Sequence, residues 1–115
     1  MLHLTDRAGV AGRITEILRN QQLSIEDAAG RLRFDPLELE AALEGEITLS
    51  MLIAVVRTFG IDPMWLLSGE YQQWSHRAAM EDPFTAVYDV LRRLDRPRDR
   101  FSNDRPDETR FSSAA

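Results

Sequence analysis

The side chains able to do chemistry in this 115-residue chain are arginines and carboxylates, and their spacing excludes most reactions. There is no cysteine, so thiolate nucleophiles, thiolate metal sites and disulfides are ruled out. His3 and His76 lie far apart in the chain with no carboxylate at ligand spacing, so no metal site is read. Paired acids such as Glu38 and Glu40 stand two apart on an expected helix and do not face each other, which removes a general acid–base pair. No nucleophile–base arrangement, glycine-rich phosphate loop or cofactor signature is present. The chain reads as a non-enzyme without a cofactor. What is left is non-covalent recognition, with guanidinium groups meeting phosphate or carboxylate, and glutamates meeting base edges or a basic partner.

The charges are unevenly placed around the net value of −5, and all 14 basic residues are arginine. Residues 1–33 hold five arginines against four acids, whereas residues 34–50 hold Asp35, Glu38, Glu40, Glu44 and Glu46 with no basic residue. Residues 71–115 hold eight of each sign. The N-terminal MLHLTDRAG lacks the apolar run of a signal peptide, and no stretch approaches about 18 apolar residues. The expectation is a cytoplasmic protein with no membrane partner.

The elements that must position these groups are helices. Val10, Ile14, Ile17 and Leu18 recur at helical spacing from Thr5 to about Gln21. Ser24, with Asp27 three residues on, writes a cap for a helix over about 25–32, and Ala28, Ala29 and Leu32 give it an apolar stripe. Asp35, Pro36 and Glu38 restart the pattern for a helix over about 36–44, stopped at Gly45. Helix, short turn, helix is the helix-turn-helix unit. A strongly amphipathic helix follows from Thr48 to Phe59 through Leu49, Leu52, Ile53, Val56 and Phe59, then a short one from Met64 to Ser68 after Asp62-Pro63. Residues 71–80 either extend that helix or form another. Asp82-Pro83 opens a further amphipathic helix over 84–94 carrying Phe84, Val87, Tyr88, Leu91 and Leu94. Residues 95–115 are rich in Pro, Asp, Arg and Ser and read as a disordered tail.

The stretch RITEILRNQQLSIEDAAGRLRFDPLELEAALEG, continued by LIAVVRTFGIDPMWLLSGE, resembles the Cro/phage-repressor type of helix-turn-helix family, also called Xre-like. The resemblance covers about residues 10–70. It rests on the Leu23-Ser24 entry, Glu26 and Ala29, the Phe34-Asp35-Pro36 turn, Leu39 and Gly45, and Phe59-Gly60-Ile61-Asp62 with Leu66-Leu67. It implies an all-α fold, a five-helix repressor-like helix-turn-helix domain over residues 1–70, with 71–94 as a C-terminal helical extension. It also implies a transcription regulator that binds double-stranded DNA.

Carried across position by position, the resemblance places Ile25 where the family has a phosphate-binding glutamine and Arg33 where it has a turn glycine. Leu37, Glu38, Glu40 and Ala41 occupy the major-groove positions. The candidate DNA contacts are therefore Arg13, Ser24, Ile25, Arg31, Arg33, Asp35, Leu37, Glu38, Glu40 and Ala41, with Arg92, Arg93, Arg96, Arg98 and Arg100 as a supplement. A homodimer is expected through an apolar surface of Tyr71, Trp74, Phe84, Val87, Tyr88, Leu91 and Leu94, joined by Trp65. Such a protein would be nucleoid-associated. The alternative is a helix-turn-helix fold used for protein binding, its acidic third helix docking on a basic partner or competing with DNA.

Overall fold

The computed structural model describes Leu4 and residues 6–95, and these are all-helical, with no strand among the described residues. The helices are α1 (Arg7–Asn20), α2 (Ile25–Leu32), α3 (Pro36–Leu43), α4 (Leu49–Phe59), α5 (Pro63–Ser68), α6 (Gln73–Glu81) and α7 (Pro83–Asp95). The tail expected over 95–115 lies outside the described residues except for Asp95, which still belongs to α7.

Local capping chemistry sets most of the starts. The side chain of Ser24 accepts from the Asp27 amide at 3.1 Å, and Thr48 from the Met51 amide at 3.1 Å. Asp35 accepts from the Leu37 amide at 2.9 Å while Glu38 accepts from the Asp35 amide at 3.0 Å, closing a reciprocal capping box. The first helix begins after Asp6, because the Asp6 carboxylate takes the Gly9 amide at 3.0 Å and makes Asp6 the cap; the start expected at Thr5 lies outside the described residues.

The ends share a second device. In α2 the Phe34 amide donates to the Ala29 carbonyl at 2.9 Å and the Arg33 amide to the Gly30 carbonyl at 3.3 Å, a Schellman closure. This requires a left-handed residue. α3 and α4 supply Gly45 and Gly60 there, but α2 supplies Arg33 at φ 65, ψ 43, and α1 supplies Gln22 at φ 58. An L-residue in this region costs roughly 1–2 kcal/mol.

One continuous core joins all seven helices. Val10, Ile14, Ala28, Leu32, Leu39, Leu52, Val55, Val56 and Leu66 are buried together with Ala79, Ala86, Val87 and Val90. The last two helices are therefore part of the packed body, since α7 lays Ala86, Val87 and Val90 into that core. α4 is buried more broadly than its expected stripe: Met51, Ala54 and Val55 are buried, while Leu49, Ile53 and Phe59 are only half-buried. It is packed on more than one side, against α2, α6 and α7, so a single amphipathic face understates it. No helix of the described residues is long and apolar enough to cross a membrane.

α6 is a separate helix, and its start is built by a distant residue. Its cap residue Gln72 makes no side-chain cap bond. Instead Asp62, buried in the loop before α5, accepts from the Met64, Trp65 and Gln72 amides at 3.1, 3.3 and 2.7 Å, and from the Ser75 hydroxyl. One carboxylate thus caps two helices and fixes the angle between them. His76 completes the joint: its Nε2 donates to the Gly60 carbonyl at 2.9 Å, and its Nδ1 shares a hydrogen bond of 2.9 Å with the Tyr71 hydroxyl.

Candidate functional site

The α2–turn–α3 unit displays the expected recognition residues on one side of the domain. Leu39 and Ala42 bury α3 against the core, and at about 100° per residue the opposite face carries Leu37, Glu40, Ala41 and Glu44. Leu37 is 73% exposed, Glu40 and Glu44 are exposed, and Ala41 is half-buried. Glu38 is held back by its bond to the Asp35 amide, and Asp35 and Ser24 have their side chains on helix caps. Their roles are local. Ile25 is half-buried and packs on the core, so it sits at the head of α2 as an apolar anchor.

The arginines divide into two kinds. Arg31 and Arg33 are exposed, and neither guanidinium makes a hydrogen bond or ion pair with any described residue. They bracket the end of α2 and stand immediately before the first turn of α3. Arg13 is different. Its side chain is only 16% exposed, its Nε donates to the Leu66 carbonyl at 2.8 Å, and its Nη2 lies 3.7 Å from Asp6. It clamps α1 to the C-terminal end of α5 and satisfies a carbonyl left open there, so its expected place among the DNA contacts is corrected to a structural one.

The short loop between α3 and α4 is anchored at two points. Ile47 is 4% exposed in the core, and Arg7 donates to the Gly45 carbonyl at 3.1 Å. No basic loop emerges between α3 and α4.

The expected dimer residues do not form one surface. Val87 is fully buried in the chain's own core and is removed from the set. Tyr71 is tied to His76 by the hydroxyl bond and an edge-on ring contact, with centroids 5.4 Å apart. Trp74 lies under the Arg93 guanidinium, 4.4 Å from the ring centroid, beside a shallow groove lined by Gln73, Arg77, Ala78 and Glu81. Trp65 is half-buried against the core. On α7, Phe84, Tyr88 and Leu91 fall within an arc of about 60°, whereas Arg93 points to about the opposite side and Leu94 continues the core-facing side. Trp74 and the Phe84–Tyr88 stripe therefore flank α7 on different sides. Sequence periodicity merged them because α7 has two apolar faces and one set of spacings covers both.

The residues that sequence reasoning missed are Asp62, Ser75 and His76. Asp62 was legible as a cap, but its second helix is visible only in the fold. No family model matches this chain, and no curated protein or solved structure does.

Proposed function

We propose that this chain is a DNA-binding transcription regulator of the Xre-like helix-turn-helix type, with a five-helix unit formed by α1–α5, acting as a dimer in the cytoplasm and associated with the nucleoid. The observation that carries this reading is Arg33. It occupies the left-handed position in the turn between α2 and α3, where glycine is sterically preferred, and its guanidinium is exposed with no partner among the described residues. Strain retained at an exposed charged side chain points to a role for that charge. Together with Arg31 it supplies positive charge at the rim of α3, where a duplex seated on that helix would bring its phosphates. Leu37 and Ala41 offer apolar contact to a thymine methyl, and Glu40 accepts from cytosine N4.

A second reading has its own support. The outward face of α3 carries Glu40 and Glu44 with the strongly exposed Leu37 and no basic residue, which suits a basic protein partner better than a polyanion. A mobility shift with duplex DNA from upstream of the protein's own coding sequence, across a salt series, separates the two. Phosphate engagement gives an affinity that falls steeply with salt, and the double variant Glu40→Gln/Glu44→Gln then binds duplex more tightly because a repulsion is gone. Absence of binding even at low salt overturns the DNA reading and leaves the protein-docking one.

A further inference from the structure

Five described residues have a left-handed backbone, each at the C-terminal end of a helix, and three of them are the glycines Gly45, Gly60 and Gly69. The two that are not, Gln22 and Arg33, stand at opposite ends of α2. At Gln22 the chain closes α1 as it closes α2: the Gln22 amide donates to the Arg19 carbonyl and the Leu23 amide to the Leu18 carbonyl, both at 3.0 Å. Gln22 is exposed, and its side-chain amide makes no hydrogen bond with any described residue. Its backbone thus carries a steric cost that its side chain does not offset within the fold. The surroundings are the reverse of the outward face of α3. Arg19, Asn20, Gln21 and Gln22 are consecutive, exposed and without a side-chain bond to any described residue, and no carboxylate occurs between Glu16 and Glu26. Each of the four side chains carries N–H donors, so the turn between α1 and α2 is an edge of donors free of acid, complementary to phosphate oxygens.

We propose that the Gln22 side-chain amide donates to a phosphate of the DNA backbone, so that α2 is held on the duplex at both ends, by uncharged Gln22 at one and by cationic Arg33 at the other. The eight residues of α2 span about 12 Å, so the two contacts fall on different phosphates. The inference rests on the DNA reading and deepens it, by locating affinity away from α3, whose acidic face repels the backbone. Contacts of this kind fix register and orientation without reading sequence, which leaves Leu37, Glu40 and Ala41 to the bases. The two ends of α2 also differ in how they respond to salt. Arg33 releases a counterion when it neutralises a phosphate, whereas a neutral amide adds a hydrogen bond and releases none.

Mobility shifts of full-chain variants on the same upstream duplex, across a salt series, test this. Gln22→Gly relieves the backbone and removes the donor. Its Tm should be no lower than that of the wild type, which excludes unfolding as the cause of any loss. Its affinity for the duplex should fall about tenfold at every salt concentration, from one lost bond per protomer, with the salt slope unchanged. Gln22→Lys keeps an L-residue in the turn and places a cation where the amide stood, so a dimer carrying two of them gains about two units of slope. If Gln22→Gly binds as tightly as the wild type, or Gln22→Lys keeps the wild-type slope, the Gln22 contact is overturned while the DNA reading stands. If the wild type itself fails to bind at low salt, the DNA reading is overturned and the contact falls with it.

Discussion

Replacing Arg33 by glycine should stabilise the protein while weakening its hold on DNA. The backbone at this position is left-handed, at φ 65 and ψ 43, and two amide-to-carbonyl bonds that close α2 depend on it. An L-residue there costs roughly 1–2 kcal/mol, which glycine avoids. Against this, glycine gains freedom in the unfolded chain, worth about 0.4–1 kcal/mol. The Arg33 side chain contributes no bond to any described residue that would have to be subtracted. The net gain is about 0.5–1 kcal/mol, which raises Tm by roughly 2–6 °C for a domain of this size. Binding should move the other way. Each phosphate contact contributes about 0.9 to the slope of log affinity against log salt, so a dimer lacking both Arg33 side chains loses about two units of slope. Arg33→Ala is the control: it removes the guanidinium but keeps the strain, so the slope falls without a rise in Tm. Calorimetry and the salt-series mobility shift read the two effects separately. A lower Tm for Arg33→Gly would refute the strain argument, and an unchanged slope would refute the phosphate role.

Other perturbations follow from the buried polar groups. Asp62→Ala removes the cap of α5 and leaves the Gln72 amide and the Ser75 hydroxyl without their acceptor, at a cost of about 3 kcal/mol seen as a lower urea midpoint. If the midpoint barely moves, the two helices do not depend on that joint. Arg13→Met keeps much of the packing but frees the Leu66 carbonyl, so it should destabilise by about 1–3 kcal/mol while leaving the salt slope of DNA binding unchanged. A fall in slope would return Arg13 to the interface. Hydrogen bonds from the Thr85 hydroxyl and then the Thr85 amide hold the Asp82 carboxyl below its usual pKa. A depressed folded-state pKa stabilises above the unfolded value and is lost as pH falls through the folded one, so this contribution disappears below the ordinary carboxylate range. Urea titrations should therefore show a smaller loss of stability on acidification in Asp82→Asn than in the wild type, and an equal loss would contradict the assignment.

The placement of the helices was legible in the sequence wherever the signal was local. Asp35-Pro36, Asp62-Pro63 and Ser24 cap helices within three residues of themselves, so their chemistry needs no tertiary contact to be read. The acidic outer face of α3 was equally plain, because Leu39 and Ala42 fix which side is buried and the remaining positions follow by rotation. The use of Arg13 was not legible: its partner carbonyl lies 53 residues away, on a helix whose approach to α1 no local pattern encodes. Nor was the fate of Val87, since α7 alternates two apolar faces and only packing against α4, α5 and α6 selects which of them the core takes. Asp62 shows the division within one residue. Its sequence neighbours determined that it caps α5, and the tertiary fold alone decided that it also caps α6, because an orphan amide can be satisfied by any acceptor that the folded chain brings within reach.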